Sequence, residues 1–185
     1  MTRLTFNNYS RYVRSSRDNK IFAWCVFLEG DRDLIDSIQM IRYVLHPTFP
    51  KPIREITDHD HCFALQSEGW GSFNIEIQVL FENGQFEETE YQLKLEYDDW
   101  PKGPEIQAFD NELQRQVYDS LLDPKWPWRK ITTIADAAYQ PTEVVSRVLE
   151  LLSEDGFARK SYFRLIDNEE LWGATCIVGA LPIPK

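Results

Sequence analysis

Two short segments concentrate side chains able to hold a flat, neutral group. Leu45-His46-Pro47-Thr48-Phe49-Pro50-Lys51-Pro52 sets an imidazole, a hydroxyl and an aromatic ring close together between prolines. Gly69-Trp70-Gly71-Ser72-Phe73 sets a second ring between two glycines and opens directly into an alternating apolar stretch. Aromatic faces stack on planar, polarisable groups. Gly69 and Gly71 let backbone approach a ligand where a Cβ would stand in the way. The plainer alternative gives these residues to the fold: Phe49 and Trp70 plug the end of a domain, Thr48 satisfies a turn, and His46 bonds to a neighbouring loop.

A third segment, Asp58-His59-Asp60-His61-Cys62, has the composition of a metal cluster. In extended backbone His59 and His61 share one face, as a metal could use, with Cys62 on the other. No further Cys or His stretch nearby supplies the missing ligands, so the segment reads as a solvated loop entering a strand, and no metal or other cofactor is expected. Enzymatic chemistry finds no foothold. There is no nucleophile elbow with Ser, His and Asp in order, and Gly69-Trp70-Gly71 lacks the downstream glycine and lysine of a phosphate cradle. Carboxylate pairs are too common in so acidic a chain to mark acid–base work.

The elements that must position these residues change character along the chain. In the first hundred residues the period is 2. Phe22, Trp24, Val26 and Leu28 alternate with Ala23, Cys25 and Phe27; Phe73 to Phe81 alternates; so does Tyr91 to Tyr97. Each predicts a strand with one face in a core and one facing water. Further strands are expected near Tyr9–Ser15, Ile38–Leu45, Arg54–Thr57 and Cys62–Gln66, with a turn at Glu82-Asn83-Gly84-Gln85. About seven short strands make a β-sandwich, here residues 1–100. The Pro/Gly-rich stretch after Asp98 marks a linker at 101–109.

From 110 to 185 the period becomes helical. Leu113, Val117 and Leu121 predict one helix and Ile131–Ala138 a second. Thr142 is expected to cap a third, carrying Val145, Val148, Leu149 and Leu152, with Gly156 as its stop. Two β-like runs, Phe157–Leu165 and Leu171–Ile177, flank a polar turn at 167–170. Three helices and a hairpin predict a small α+β winged-helix domain. In it, Arg147 on the third helix and Arg159, Lys160 and Arg164 on the hairpin are the candidate nucleic-acid contacts. Two acids, Glu143 and Glu150, beside Arg147 favour a partner-protein role for this domain over duplex binding. Trp126 and Trp128 are expected to pack.

Composition agrees. Aromatics are abundant and the formal net charge is −10. Such a chain suits a basic partner better than a phosphate backbone. No stretch of about 18 apolar residues exists, so no membrane span is expected. The start shows no secretory h-region, and Cys25, Cys62 and Cys176 form no disulfide framework, which reads as reduced thiols in a cytoplasm, or in a nucleus if the source is eukaryotic.

The order Trp24, then His46-Pro47-Thr48-Phe49-Pro50, then Gly69-Trp70-Gly71-Ser72-Phe73 resembles the YEATS family, over roughly Ser10 to Tyr97. With an appended winged helix it looks more like the prokaryotic type. The resemblance implies an immunoglobulin-like sandwich whose end loops bind acylated lysine. It makes Phe49 and Trp70 the two aromatic walls, Thr48 a hydrogen-bonding partner of the acyl amide, the backbone N–H of Trp70 a donor to the acyl carbonyl, and His46 a support for the loop or the lysine stem. Gly69 and Gly71 complete the ligand-binding set. Four residues before Trp24, where some members carry another aromatic, this chain has Lys20. The implied function is a non-enzymatic reader of an acylated or basic peptide, coupled through the winged helix to a partner protein. The alternative is a regulator that binds DNA through the winged helix, with the sandwich as sensor or dimer module.

Overall fold

The computed structural model describes residues 4–95, 98–105, 109, 111–162 and 169–185. It divides into two units: one runs to Trp100 and takes back Leu181–Lys185, the other is Pro101–Ala180. The stretch expected as a linker therefore begins inside the second unit, where Pro101 O accepts from Ala180 N at 2.7 Å. The last five residues return to the first, with Lys185 N donating to Gly30 O.

The first unit is a sandwich of two antiparallel sheets. One has the order β1-β2-β5, from β1 (Thr5–Ser16), β2 (Asn19–Glu29) and β5 (Leu65–Gly69). The other has the order β4-β3-β6-β7, from β3 (Ile38–Val44), β4 (Ile53–Ile56), β6 (Asn74–Phe81) and β7 (Phe86–Gln92). Period 2 delivers the core as expected on β6, where Ile75, Ile77 and Val79 are fully buried. Each such side chain stabilises the fold by about 1.5–3 kcal/mol. A short helix that periodicity did not announce, α1 (Arg32–Asp36), links β2 to β3; Asp31 caps it by accepting from Leu34 N.

Three strand expectations are corrected. Strand β2 is buried on both faces, not one: Ala23, Cys25 and Phe27 are covered as well as Trp24, Val26 and Leu28. Trp100 helps to cover the second face through Tyr9, whose ring also meets Phe27 at 4.7 Å. The chain is tied back there by Asp99, which accepts from Ser10 N. The alternation at Tyr91–Tyr97 belongs to β7 only as far as Gln92. Beyond it the buried Asn8 amide takes over the role of a strand, donating to Lys94 O and accepting from Lys94 N and the Tyr91 hydroxyl; residues 96 and 97 lie outside the described set. Finally, 58–63 is a turn and β5 starts at Leu65, because Cys62 and Phe63 both take left-handed backbone.

The second unit holds α2 (Glu112–Asp119), β8 (Arg129–Lys130), α3 (Ile131–Ala138), α4 (Thr142–Glu154), β9 (Ala158–Lys160), β10 (Leu171–Ala174) and α5 (Thr175–Val178). Strands β8-β10-β9 form a small antiparallel sheet. The helices bury the predicted positions: Val117 on α2, Ile134 and Ala138 on α3, and Val145, Val148, Leu149 and Leu152 on α4. Gly156 follows α4 with φ of 79°, the left-handed stop that favours glycine. Thr142 is not the cap; Pro141 holds that place without a side-chain bond, its ring fixing the entry angle. The run Leu171–Ile177 is a strand only to Ala174 and then turns into α5. The end of the β-like run expected at Phe157–Leu165, with Arg164, and the first part of the polar turn expected at 167–170 lie outside the described residues.

Candidate functional site

All six binding residues expected from the sequence line one pocket of the sandwich, of ≈ 530 Å³: His46, Thr48 and Phe49 from the β3–β4 loop, and Gly69, Trp70 and Gly71 from the end of β5. The proline-rich loop is closed on itself by Phe49 N donating to His46 O at 2.9 Å and Leu45 N donating to Pro52 O at 2.8 Å. Ring stacking beneath it comes from the core. Trp24, fully buried, meets Phe49 edge-on at 6.1 Å and Phe73 at 6.2 Å, and Phe49 meets Phe73 at 5.3 Å. Phe49 is thus a half-buried ring fixed from behind.

Trp70 is the opposite case. It is 63% exposed and, among the described residues, belongs to no ring pair. The two rings expected to be aromatic walls line one pocket but differ in kind, one anchored and one standing in solvent. The glycines differ too. A Cβ on Gly69 would meet Phe49 Cζ at 3.2 Å, so this glycine makes room for the ring. Gly71 has open space around its Cα, but its φ of +75° is the reason for glycine there.

The polar rim has a defined direction. Thr48 N–H donates to His46 Nδ1 at 3.3 Å, which makes that nitrogen an acceptor. The Thr48 hydroxyl, 2.9 Å from the same nitrogen, then donates to it and keeps its oxygen lone pairs free to accept. A group with one N–H to offer fits that oxygen.

Sequence reasoning missed the other walls. Phe73 closes the floor and was visible as the last residue of the Gly-Trp-Gly-Ser-Phe run. Arg14, Ile21 and Glu68 reach the pocket from the β1-β2-β5 sheet, and Arg14 Nη1 pairs with Glu68 Oε2 at 2.9 Å. Nothing in residue spacing announces Arg14, because its placement depends on a bulge in β1.

Of the four candidate nucleic-acid contacts, Arg159 and Lys160 are engaged within their own unit. Arg159 is corrected: it is 6% exposed, its Nε donates to Gly179 O and its Nη2 to Val178 O, and its guanidinium lies 4.9 Å over Trp128. Lys160 is held between Glu150 and Glu170, 2.9 and 3.2 Å away. Arg147 is exposed on α4, and Arg164 is outside the described residues. Trp128 packs as expected; Trp126 does not, being 59% exposed with Lys125 over its ring. The Asp58–Cys62 segment gathers no metal set: His61 Nδ1 pairs with Asp58 at 2.8 Å, and among the described residues no group of three ligand-type side chains could hold an ion. Among those residues, no helix is long and apolar enough to cross a membrane.

Comparison with known proteins places the likeness on the sandwich. The AF-9 homolog protein of Saccharomyces cerevisiae is 37% identical over 60 residues, 31% of this chain and 26% of that protein. TFIID subunit 14 of Schizosaccharomyces pombe is 31% identical over 65 residues, 35% of this chain and 26% of that protein. The chain thus spans about a quarter of the length of these relatives. Among solved structures, yeast Yaf9 aligns with a TM-score of 0.42 at 24% identity, over 49% of this chain and 69% of that one. The Yaf9 YEATS domain bound to H3K27ac aligns with a TM-score of 0.38 at 25% identity, over 52% and 80%. Within this chain, residues 22–94 match the family model described as the prokaryotic YEATS domain.

Proposed function

We propose that the sandwich is a non-enzymatic reader of acylated lysine and that the second unit is a winged helix coupling it to a partner protein. The observation that carries the reading is the convergence of His46, Thr48, Phe49, Gly69, Trp70 and Gly71 on one open pocket with an aromatic floor. Its volume falls in the range of small-ligand sites. An acyl-lysine side chain is a narrow stem ending in a flat neutral amide. The amide lies against Phe49 and is covered by Trp70; its N–H donates to the Thr48 hydroxyl, and its carbonyl accepts from the backbone N–H of Trp70. Unmodified lysine brings a hydrated ammonium, whose burial without a counter-charge is expensive. The acidic body draws in a peptide that is basic around the modified residue.

The order helix, strand, helix, helix, strand, strand supports the winged-helix reading of the second unit. Exposed Trp126 and Tyr139 support a protein partner, and the internal engagement of Arg159 and Lys160 disfavours DNA.

Calorimetric titration with acetyl- and crotonyl-lysine peptides tests the reader. Saturable binding is expected, weakened about tenfold by Trp70→Ala through the lost stacking, with an unchanged melting temperature because the ring is exposed. Absence of saturation, or a Trp70→Ala variant that binds as well as the parent, overturns it.

A further inference from the structure

One wall of the pocket carries an ion pair that stacking on an acyl amide does not need. In the β1–β2 ladder Tyr12 faces Phe22, but Arg14 faces Ile21, so Val13 is an extra residue at a bulge. Were the ladder regular, Arg14 would face Lys20, a like charge, and its side chain would share the face of Tyr12. The bulge turns Arg14 to the face of Ile21. On the other side of β2, Glu68 faces Ala23, two residues further along that same face. Arg14 and Glu68 therefore reach toward each other across β2 and close at 2.9 Å, with Ile21 beside them.

Glu68 is the one carboxylate, and Arg14 the one guanidinium, among the described residues that line the pocket. A bare carboxylate beside Gly69 and Trp70 would offer the ammonium of unmodified lysine the counter-charge that its burial requires. On an acidic protein, which gathers lysine-bearing peptides from solution, that would defeat a reader. The geometry points to Arg14 as a specificity-determining residue: by neutralising Glu68 at the pocket wall it denies unmodified lysine an ion pair and leaves the site to the neutral acyl form. This rests on the reading of the pocket as an acyl-lysine site. A half-exposed ion pair contributes little to folding, so its effect belongs in the choice of ligand.

The test uses the full chain with two peptides that differ only in acetylation of one lysine, titrated against the parent protein, Arg14→Met, Glu68→Gln and the double variant, each checked by circular dichroism. Arg14→Met keeps an apolar stem on the strand; Arg14→Gln repeats the test with a polar one. The measured quantity is the ratio of affinities, acetylated over unmodified. Arg14→Met should lower that ratio about fivefold by tighter binding of the unmodified peptide, and the change should shrink at high salt. Adding Glu68→Gln should restore the ratio. If Arg14→Met binds the acetylated peptide with the parent's ratio, or the double variant keeps the lowered ratio, the proposal is wrong while the reader stands. If the parent protein fails to bind the acetylated peptide, both fall.

Discussion

The pocket loops and the 58–63 turn belong to one sandwich and carry much the same chemistry, histidines beside oxygen partners and a phenylalanine, yet they end differently. His46 uses Nδ1 to hold Thr48, and the hydroxyl so fixed still has lone pairs to offer. In the turn the equivalents go to the fold. His61 pairs with Asp58 at 2.8 Å, and the His59 ring lies 4.8 Å from Phe63. The turn's backbone is closed by Cys62 N to His59 O and Phe63 N to Asp58 O, and the buried Tyr43 hydroxyl donates to Phe63 O at 2.8 Å. The second unit repeats the contrast: Arg159 and Lys160 have the charge for a polyanion but direct it at carbonyls and carboxylates of their own unit. A reactive residue type makes a site only where the fold leaves some of its capacity unspent.

The largest effect expected from this contrast lies at Arg159. Arg159→Met should destabilise the chain by about 2–4 kcal/mol, since two carbonyls lose charged donors in a buried place. Urea unfolding measures it. The pocket, in the other unit, should bind its peptide as before. A variant as stable as the parent but with lost affinity for nucleic acid would reverse the assignment of Arg159 to the fold.

Much of this was legible in the sequence. The β-to-α change of period and the core positions of β6 and α4 follow from spacing alone, whereas the meeting of 46–49 with 69–71 in one pocket was expected only from the resemblance to the YEATS family. Three things were not. Burial of β2 on both faces depends on Trp100, which lies over seventy residues away in the chain and meets Tyr9. The end of β7 depends on Asn8, a polar residue that reads as surface until its amide is seen bonded to Lys94 and Tyr91. Arg14 reaches the pocket only because one residue is inserted in β1. Each is a long-range or register effect, and neither kind leaves a local pattern.

The two pocket glycines sharpen the comparison within the site. Gly69→Ala puts a methyl 3.2 Å from Phe49 Cζ, so the anchored wall must shift by a few tenths of an ångström. Peptide affinity should fall several-fold with little change in stability. Gly71→Ala meets no neighbour but forces a side chain at φ +75°, which costs about 1 kcal/mol. Its melting temperature should drop. Equal behaviour of the two variants would mean that neither glycine is there for the reason given.

The smallest expected effect belongs to the turn. The hydrogen bond from His61 holds the Asp58 carboxyl below its ordinary range, against a weaker upward push from burial. A carboxylate with a depressed folded value contributes stability above its unfolded value of about 3.9 and loses it as the pH falls through the folded one. His61→Gln should therefore cost no more than about 1 kcal/mol at pH 5, because the pair is half exposed and screened. That difference from the parent should shrink as the pH falls through the depressed folded value and Asp58 becomes protonated in both states. Peptide affinity should not change, since the turn contributes nothing to the pocket lining. A stability gap that stays constant from pH 5 to pH 2 would show that Asp58 and His61 are neighbours without being coupled, and the turn would then be held by its other contacts: the Tyr43 hydroxyl, the backbone bonds, the His59–Phe63 ring contact and the Arg32–Asp60 ion pair.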